Sequence, residues 1–287
     1  MSPSPVGPLA RGTPVRDALD GAVTAIGAAG CETPRLDAEL LLAHALGVER
    51  ERLFIDAELS VAGPSVRTFQ DYVRRRSVLR EPVAYILGKR HFRRLELAAD
   101  PRALIPRPET ELLVEVALSL PGDRRVLDVG TGSGAVALAL KDERPGLEVT
   151  GSDLSADALA LARGNGKRLG LDVRWLTADL LEGVPDEFDA ILSNPPYVPD
   201  ADRAMLAPEI LRHEPACALF AGEDGLDAIR PLLDQAAVRS SVRLVALEVG
   251  AGQAAIVGEL MRAAGFPVVH TERDLAGIER VVVGERA

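Results

Sequence analysis

The chain has 287 residues, 47% of them hydrophobic and 26% charged, with a formal net charge of -10. This composition belongs to a globular chain with room for one large domain and a smaller one, and the acidity counts against a general nucleic-acid binder, because phosphate affinity needs clustered lysine and arginine. No run of about 18 apolar residues offers a membrane span, and two cysteines, Cys31 and Cys217, are too few and too far apart for a disulfide framework or a metal cluster, so the expectation is no metal and a reducing cytoplasm.

Residues 1–12 carry Ser and Pro without an apolar signal core and read as a loose tail, not a secretory peptide. Apolar residues at helical spacing over 15–29, stopped by Gly30, predict a first helix. Thr33 followed by Pro34 reads as an N-cap with proline in the first turn, opening a second helix over 36–46 that Gly47 closes. A third covers 64–79, with Val66, Phe69, Val73 and Leu79 along one side. Together they suggest a small helical bundle. Residues 67–94 hold nine basic side chains against Asp71 and Glu81, a segment of about +7 that leaves about -17 for the remainder. Such a run serves either as a solvated helix face or as a docking surface.

At Glu81-Pro82 the pattern changes. Residues 85–97 read as strand, with a bend near Gly88, Lys89 and Arg90, and predict a β-hairpin. After Pro108 strands and helices alternate: strands at 125–129, 149–152, 173–176, 188–192 and 243–249, then a closing pair at 268–271 and 280–283. The expected fold class is α/β, a seven-stranded, mostly parallel, doubly wound domain preceded by a small helical bundle and a linking β-hairpin. The corresponding boundaries are 1–80 for the helical part, 81–103 for the hairpin linker and 104–287 for the α/β domain.

Gly130, Thr131, Gly132, Ser133 and Gly134 form a glycine-rich turn between the first of these strands and a helix. Glycines permit positive φ and a close ligand approach, and the helix start behind them offers unpaired N–H groups. Asp153, 19 residues after Gly134, ends the second strand, where a carboxylate can accept bonds from ribose hydroxyls. Asp179, beyond the third strand, faces the adenine side of the same crevice or caps a helix ahead of Leu180 and Leu181. These features indicate an adenosine-containing ligand at the carboxyl ends of the strands. They do not choose between a nicotinamide dinucleotide and S-adenosyl-L-methionine.

The run Ser193-Asn194-Pro195-Pro196-Tyr197 makes that choice. A nitrogen on an amide or arylamine is a poor nucleophile, because its lone pair is delocalised into the neighbouring π-system. To attack a sulfonium methyl it must be oriented and its N–H groups held by acceptors. The Asn194 side-chain oxygen and the Pro195 carbonyl are two such acceptors, made rigid by consecutive prolines, and Tyr197 supplies an aromatic face for a planar group. Positioning and electrostatics then carry the reaction without a strong base. His44, His91, His213 and His270 are scattered through the sequence, in keeping with that.

With these residues in place the chain resembles the release factor glutamine methyltransferases, the HemK/PrmC family. The resemblance covers nearly the whole chain. It rests on Glu81-Pro82-Val83-Ala84-Tyr85-Ile86-Leu87-Gly88, on Leu104-Ile105-Pro106-Arg107-Pro108-Glu109-Thr110-Glu111, on the glycine turn and on residues 193–197. Glu214-Pro215, Gly222-Glu223-Asp224-Gly225-Leu226 and Leu247-Glu248-Val249-Gly250 extend it. The Pro-Arg-Pro-Glu-Thr stretch is the most specific of these, since generic adenine methyltransferases lack it.

The resemblance implies S-adenosyl-L-methionine as cofactor. It also implies methylation of the glutamine side-chain amide in the Gly-Gly-Gln loop of class 1 peptide chain release factors, with the helical part gripping that protein substrate. Carried over by position, residues 130–134, Asp153 and Asn194 contact the cofactor, and Arg107, Glu109 and Thr110 close over its methionine end. Asn194, Pro195, Pro196 and Tyr197 hold the acceptor. Asp179 and Leu180 wall the adenine, although the family often carries an aromatic residue where Leu180 stands. A monomer without membrane or nucleic-acid partners is the matching expectation. Two other readings compete: an adenine exocyclic-amine methyltransferase acting on nucleic acid, which presents the same two N–H donors, and a nucleotide-binding adaptor without turnover.

Overall fold

A computed structural model of the chain describes residues 12–56, 59–185 and 187–286, so all of the expected N-terminal tail except Gly12 lies outside the described residues. The chain divides into two compact units, the first running to Gly88 and also taking in Ala207–His213, the second comprising Lys89–Leu206 and Glu214–Ala287.

In the first unit, helices Val15–Ala28, Pro34–Leu46 and Pro64–Ser77 enclose a core that includes Leu19, Ile26, Leu41, Leu42, Phe69 and Val73. Two residues of β1 (Thr13–Pro14) pair antiparallel with β2 (Ser60–Val61). Pro34 opens the second helix and Gly47 closes it at φ +66°, a conformation an L side chain resists. The Thr33 hydroxyl makes no cap bond and instead donates to Asp37 Oδ1 at 2.9 Å.

A buried ion cluster ties this unit together. Arg76 Nε donates to Asp37 Oδ2 at 2.6 Å and its Nη2 to Glu209 Oε1 at 3.1 Å, while Arg80 binds the other oxygen of Glu209 and the carbonyl of Ala29. The Arg76 and Asp37 side chains are only 8% and 7% exposed. Arg75 forks onto Glu81 at 2.7 and 2.6 Å. Seven of the nine basic residues between 67 and 94 carry an ion pair inside their own unit. Arg75, Arg76, Arg80 and Arg93 are committed to such pairs in covered positions, while Arg67, Arg74 and Arg94 stay exposed, so the run divides between internal wiring and a solvated face.

The second unit begins with the hairpin β3 (Lys89–Phe92) and β4 (Leu95–Ala98). It starts later than the sequence pattern suggests: Tyr85, Ile86 and Leu87 belong to the helix Val83–Leu87, Gly88 ends that helix at φ +69°, and the chain reverses at Arg93 and Arg94. A short apolar run does not distinguish strand from helix by periodicity. The main sheet contains β5 (Arg125–Val129), β6 (Glu148–Asp153), β7 (Arg174–Thr177), β8 (Ala190–Ser193), β9 (Leu244–Glu248), β10 (Val268–Arg273) and β11 (Glu279–Glu285). Their order is β10-β11-β9-β8-β5-β6-β7, parallel from β5 to β9, with β11 antiparallel to both neighbours.

Alternate residues of β5 feed two cores: Val126 joins Leu138, Leu140 and Leu147 on one face, and Leu127 joins Ile191, Leu232 and Val245 on the other. Burial on both faces is what a nearly continuous Val/Leu/Ile strand requires. The chain runs from β5 outward through β6 and β7, then returns to β8 on the other side of β5. That reversal opens a crevice at the carboxyl ends of β5 and β8, the place where doubly wound sheets bind ligands. Among the described residues no helix is long and apolar enough to cross a membrane.

Candidate active site

The crevice holds a cavity of about 720 Å³. Its wall includes Gly130, Thr131, Gly132 and Ser133 after β5, Asp153 after β6, Asp179 and Leu180 after β7, and Asn194, Pro195 and Pro196 after β8, with Arg107 and Thr110 alongside. Of the residues expected from the sequence, Gly134, Glu109 and Tyr197 do not line it.

The glycine turn is built by its neighbours. Gly130, Gly132 and Gly134 take φ of +69°, +57° and +83°. A Cβ on Gly130 would meet nothing within 4 Å, so the turn leaves its wall open to a ligand. Gly134 serves packing instead, because a Cβ there would come within 2.9 Å of Trp175. Beneath the turn the buried Asp128 carboxylate accepts from the Thr131 hydroxyl and, at 3.3 Å, from the Ala137 N–H. Burial pushes Asp128 up to about 7, against the lowering effect of those two donors. Asp153 Oδ2 accepts from Gly132 N–H at 2.9 Å and Oδ1 from Ser155 N–H at 2.8 Å. Each carboxylate oxygen keeps a further acceptor site. Asp153 therefore sets the turn's shape while remaining able to take a ligand hydroxyl.

Gly151, on β6, is a sensitive point: a Cβ would sit 2.5 Å from the Trp175 ring and 2.9 Å from the Thr131 hydroxyl. Gly151→Ala is expected to cost about 1–3 kcal/mol of stability through overpacking. It should also weaken the affinity of the cavity for an adenosine-containing ligand by displacing Thr131. Thermal melts and titration calorimetry check the two effects, and an unchanged melt would contradict the first.

The Asp179–Leu180 wall is a turn, not a helix start. Leu180 stands at φ +51°, which non-glycine residues rarely adopt, and Gln235 Oε1 accepts from the following Leu181 N–H at 2.7 Å to hold it there. Glu214, 7% exposed, accepts from Ile105 N–H at 3.1 Å and from Arg107 Nη2 at 2.6 Å. It pins the Ile105–Pro106–Arg107 stretch to the cavity wall.

The Asn-Pro-Pro-Tyr run follows β8, and one end of the Asn194 carboxamide is tied down. Its Nδ2 donates to Thr110 Oγ1 at 3.1 Å, and Thr110 Oγ1 donates to Glu248 Oε2 at 2.6 Å. The Tyr197 hydroxyl reaches the other Glu248 oxygen at 3.3 Å. Glu248, at the end of β9, is 1% exposed. Burial pushes it up to about 7, with the Glu109 charge adding to the rise and Thr110, Tyr197 and Arg280 opposing it. Burial and the Glu248 charge both raise the Tyr197 phenol, which stays protonated as a donor. Tyr197 thus backs the loop through its hydroxyl, with its ring against Gly250.

Glu248, Glu214 and Asp128 are carboxylates of the site to which sequence reasoning gave no role, although Glu248 and Glu214 stood in runs that carry the resemblance. The available signal was an acidic residue near the carboxyl end of an otherwise aliphatic strand, in Val126-Leu127-Asp128-Val129 and in Ala246-Leu247-Glu248-Val249.

Comparison with known proteins finds relatives over nearly the whole chain. Residues 108–223 match the methyltransferase small domain and residues 17–88 match the PrmC N-terminal domain. A release factor glutamine methyltransferase of Deinococcus radiodurans is 42% identical over 95% of this chain and 99% of its own length. One from Bordetella pertussis is 44% identical over 88% of this chain and 94% of its own. Among solved structures, a methyltransferase from Pyrococcus furiosus superposes with a TM-score of 0.52 at 20% identity, over 67% of this chain and 88% of that one, which speaks to fold.

Proposed function

The chain belongs to the release factor glutamine methyltransferase family, and from that premise we propose that it methylates the side-chain amide nitrogen of the glutamine in the Gly-Gly-Gln loop of class 1 peptide chain release factors, using S-adenosyl-L-methionine. The observation that carries this reading is a single cavity walled by the glycine turn, Asp153 and Asn194-Pro195-Pro196.

The residues present fit that cofactor. Gly130 leaves its side of the turn open, and Asp153 keeps acceptor capacity for ribose hydroxyls. Leu180 and Asp179 offer an apolar surface and an acceptor beside them for the base, and Arg107 and Thr110 border the remaining wall. The bound cofactor supplies an electrophilic sulfonium methyl.

What the chain itself contributes is orientation. The Asn194 Nδ2 is engaged by Thr110, so its Oδ1 is the end left to accept an N–H from the substrate carboxamide. The Pro195 carbonyl takes the second N–H. Glycines flanking the target glutamine let the loop enter a narrow crevice without side-chain clash. With both N–H groups held, the amide is presented in one orientation and most of the barrier reduction comes from positioning.

Purified enzyme with labelled S-adenosylmethionine is expected to place one methyl on the Gly-Gly-Gln peptide of a release factor, read by mass spectrometry. Label on RNA or DNA with none on the factor would move the assignment to an adenine methyltransferase.

A further inference from the structure

We propose that Glu248 and Thr110 are positioning residues, and that the negative charge on Glu248 decides which end of the Asn194 carboxamide faces the cavity. The proposal rests on the reading of Asn194 as the group that holds the acceptor.

An ionised carboxylate can only accept hydrogen bonds. With Glu248 ionised, the single proton of the Thr110 hydroxyl goes to Oε2. Thr110 Oγ1 then has only lone pairs to offer Asn194, so the atom it meets must be the amide NH₂. The carbonyl oxygen of Asn194 is thereby turned the other way. Oxygen and nitrogen ends of a carboxamide have nearly the same shape, and packing alone distinguishes them poorly. Here the distinction comes from a charge two hydrogen bonds away.

Protonation reverses the direction of the relay. Tyr197 already donates to Oε1, so a proton from solvent settles on Oε2 and donates to Thr110 Oγ1. The Thr110 proton must then point at Asn194, which meets it best with Oδ1. The carboxamide turns over and presents an NH₂ to the substrate's own N–H, a donor facing a donor. The charged and titratable groups around Glu248 are Glu109 in the short helical turn Pro108–Thr110, Tyr197 on the loop and Arg280 on β11, whose guanidinium is itself held by Asp274 at 2.9 Å. Because burial has pushed Glu248 up to about 7, the reversal falls in the neutral range. The sign is that of an acid that must be ionised: the productive orientation is present above pH 7 and lost as pH falls through it.

The test uses the full chain and two readouts. The first follows the Asn194 side-chain amide by ¹H–¹⁵N NMR between pH 6 and pH 8, assigned by its loss in Asn194→Asp, and needs no acceptor. Its signal is expected to titrate near pH 7 in the wild type and in Thr110→Ser, and to stay flat in Thr110→Val and Glu248→Gln. The second is kcat against pH with a release-factor substrate. The wild type and Thr110→Ser should rise through pH 7, while Thr110→Val and Glu248→Gln fall about 10–10²-fold at pH 8 with S-adenosylmethionine affinity preserved. Identical amide titration in the wild type and Thr110→Val overturns the relay, as does wild-type kcat and pH profile in Glu248→Gln. A wild type that transfers no methyl to the factor refutes the functional reading alone, and the amide titration still decides the relay.

Discussion

Asn194→Ala is expected to lower kcat by about 10²- to 10³-fold, the loss typical of removing one preorganised hydrogen-bonding group from a reacting centre. The substitution deletes the acceptor for one substrate N–H and leaves the amide free to rotate out of line. The cavity wall formed by the glycine turn and Asp153 is untouched, so affinity for S-adenosylmethionine should change far less. Single-turnover kinetics beside titration calorimetry separates the two effects. An unchanged turnover rate would end the role given to Asn194. Asn194→Asp should not rescue, although aspartate keeps an acceptor oxygen. It has no hydrogen to offer Thr110 and brings a second negative charge toward Glu248.

The second large effect concerns stability. Arg76→Met should destabilise the protein by about 3–5 kcal/mol, because it leaves a buried carboxylate without its cation. Asp37 loses the 2.6 Å bond to Arg76 Nε in surroundings where both side chains are below 10% exposed. Glu209 keeps Arg80 and suffers less. Arg74→Met is the control: it breaks a pair whose side chains are 58% and 50% exposed. Exposed pairs of this kind are worth at most about 1 kcal/mol. Urea denaturation of the two variants is the measurement, and equal midpoints would show that the cluster contributes nothing specific.

Local features were the legible ones. The apolar runs of the sheet strands, the glycine closing Pro34–Leu46 and the turn after β5 each follow from a few consecutive residues whose conformational preferences act alone. Tyr85, Ile86 and Leu87 were misread because three apolar residues fit strand and helix equally, and Gly88 ends a helix as readily as it bends a hairpin. The basic run was partly legible for a different reason. Asp71 and Glu81 lie close in sequence to the arginines they meet, whereas Asp37, Glu209 and Glu143 lie 39, 133 and 50 positions away. Glu248, named in a run that carries the resemblance, had no role legible in sequence, since Thr110 is 138 positions away and Tyr197 51. The Asn-Pro-Pro-Tyr run marked Asn194 as the expected acceptor group. What orients that group is a set of partners only the fold brings together.

The Glu209 carboxylate has a consequence for the order in which the chain can assemble during synthesis. Arg76 leaves the ribosome 133 residues before Glu209 does. At about 5–20 residues per second that is a delay of roughly 7–27 s. For that interval Arg76 has Asp37 and the Glu81 carbonyl as partners already made, and the carboxylate that Arg80 binds is still to come. The helical unit is first in sequence, yet one of its braces is encoded beyond residues 194–197. A nascent chain cut short before residue 209 lacks the carboxylate that Arg76 and Arg80 share.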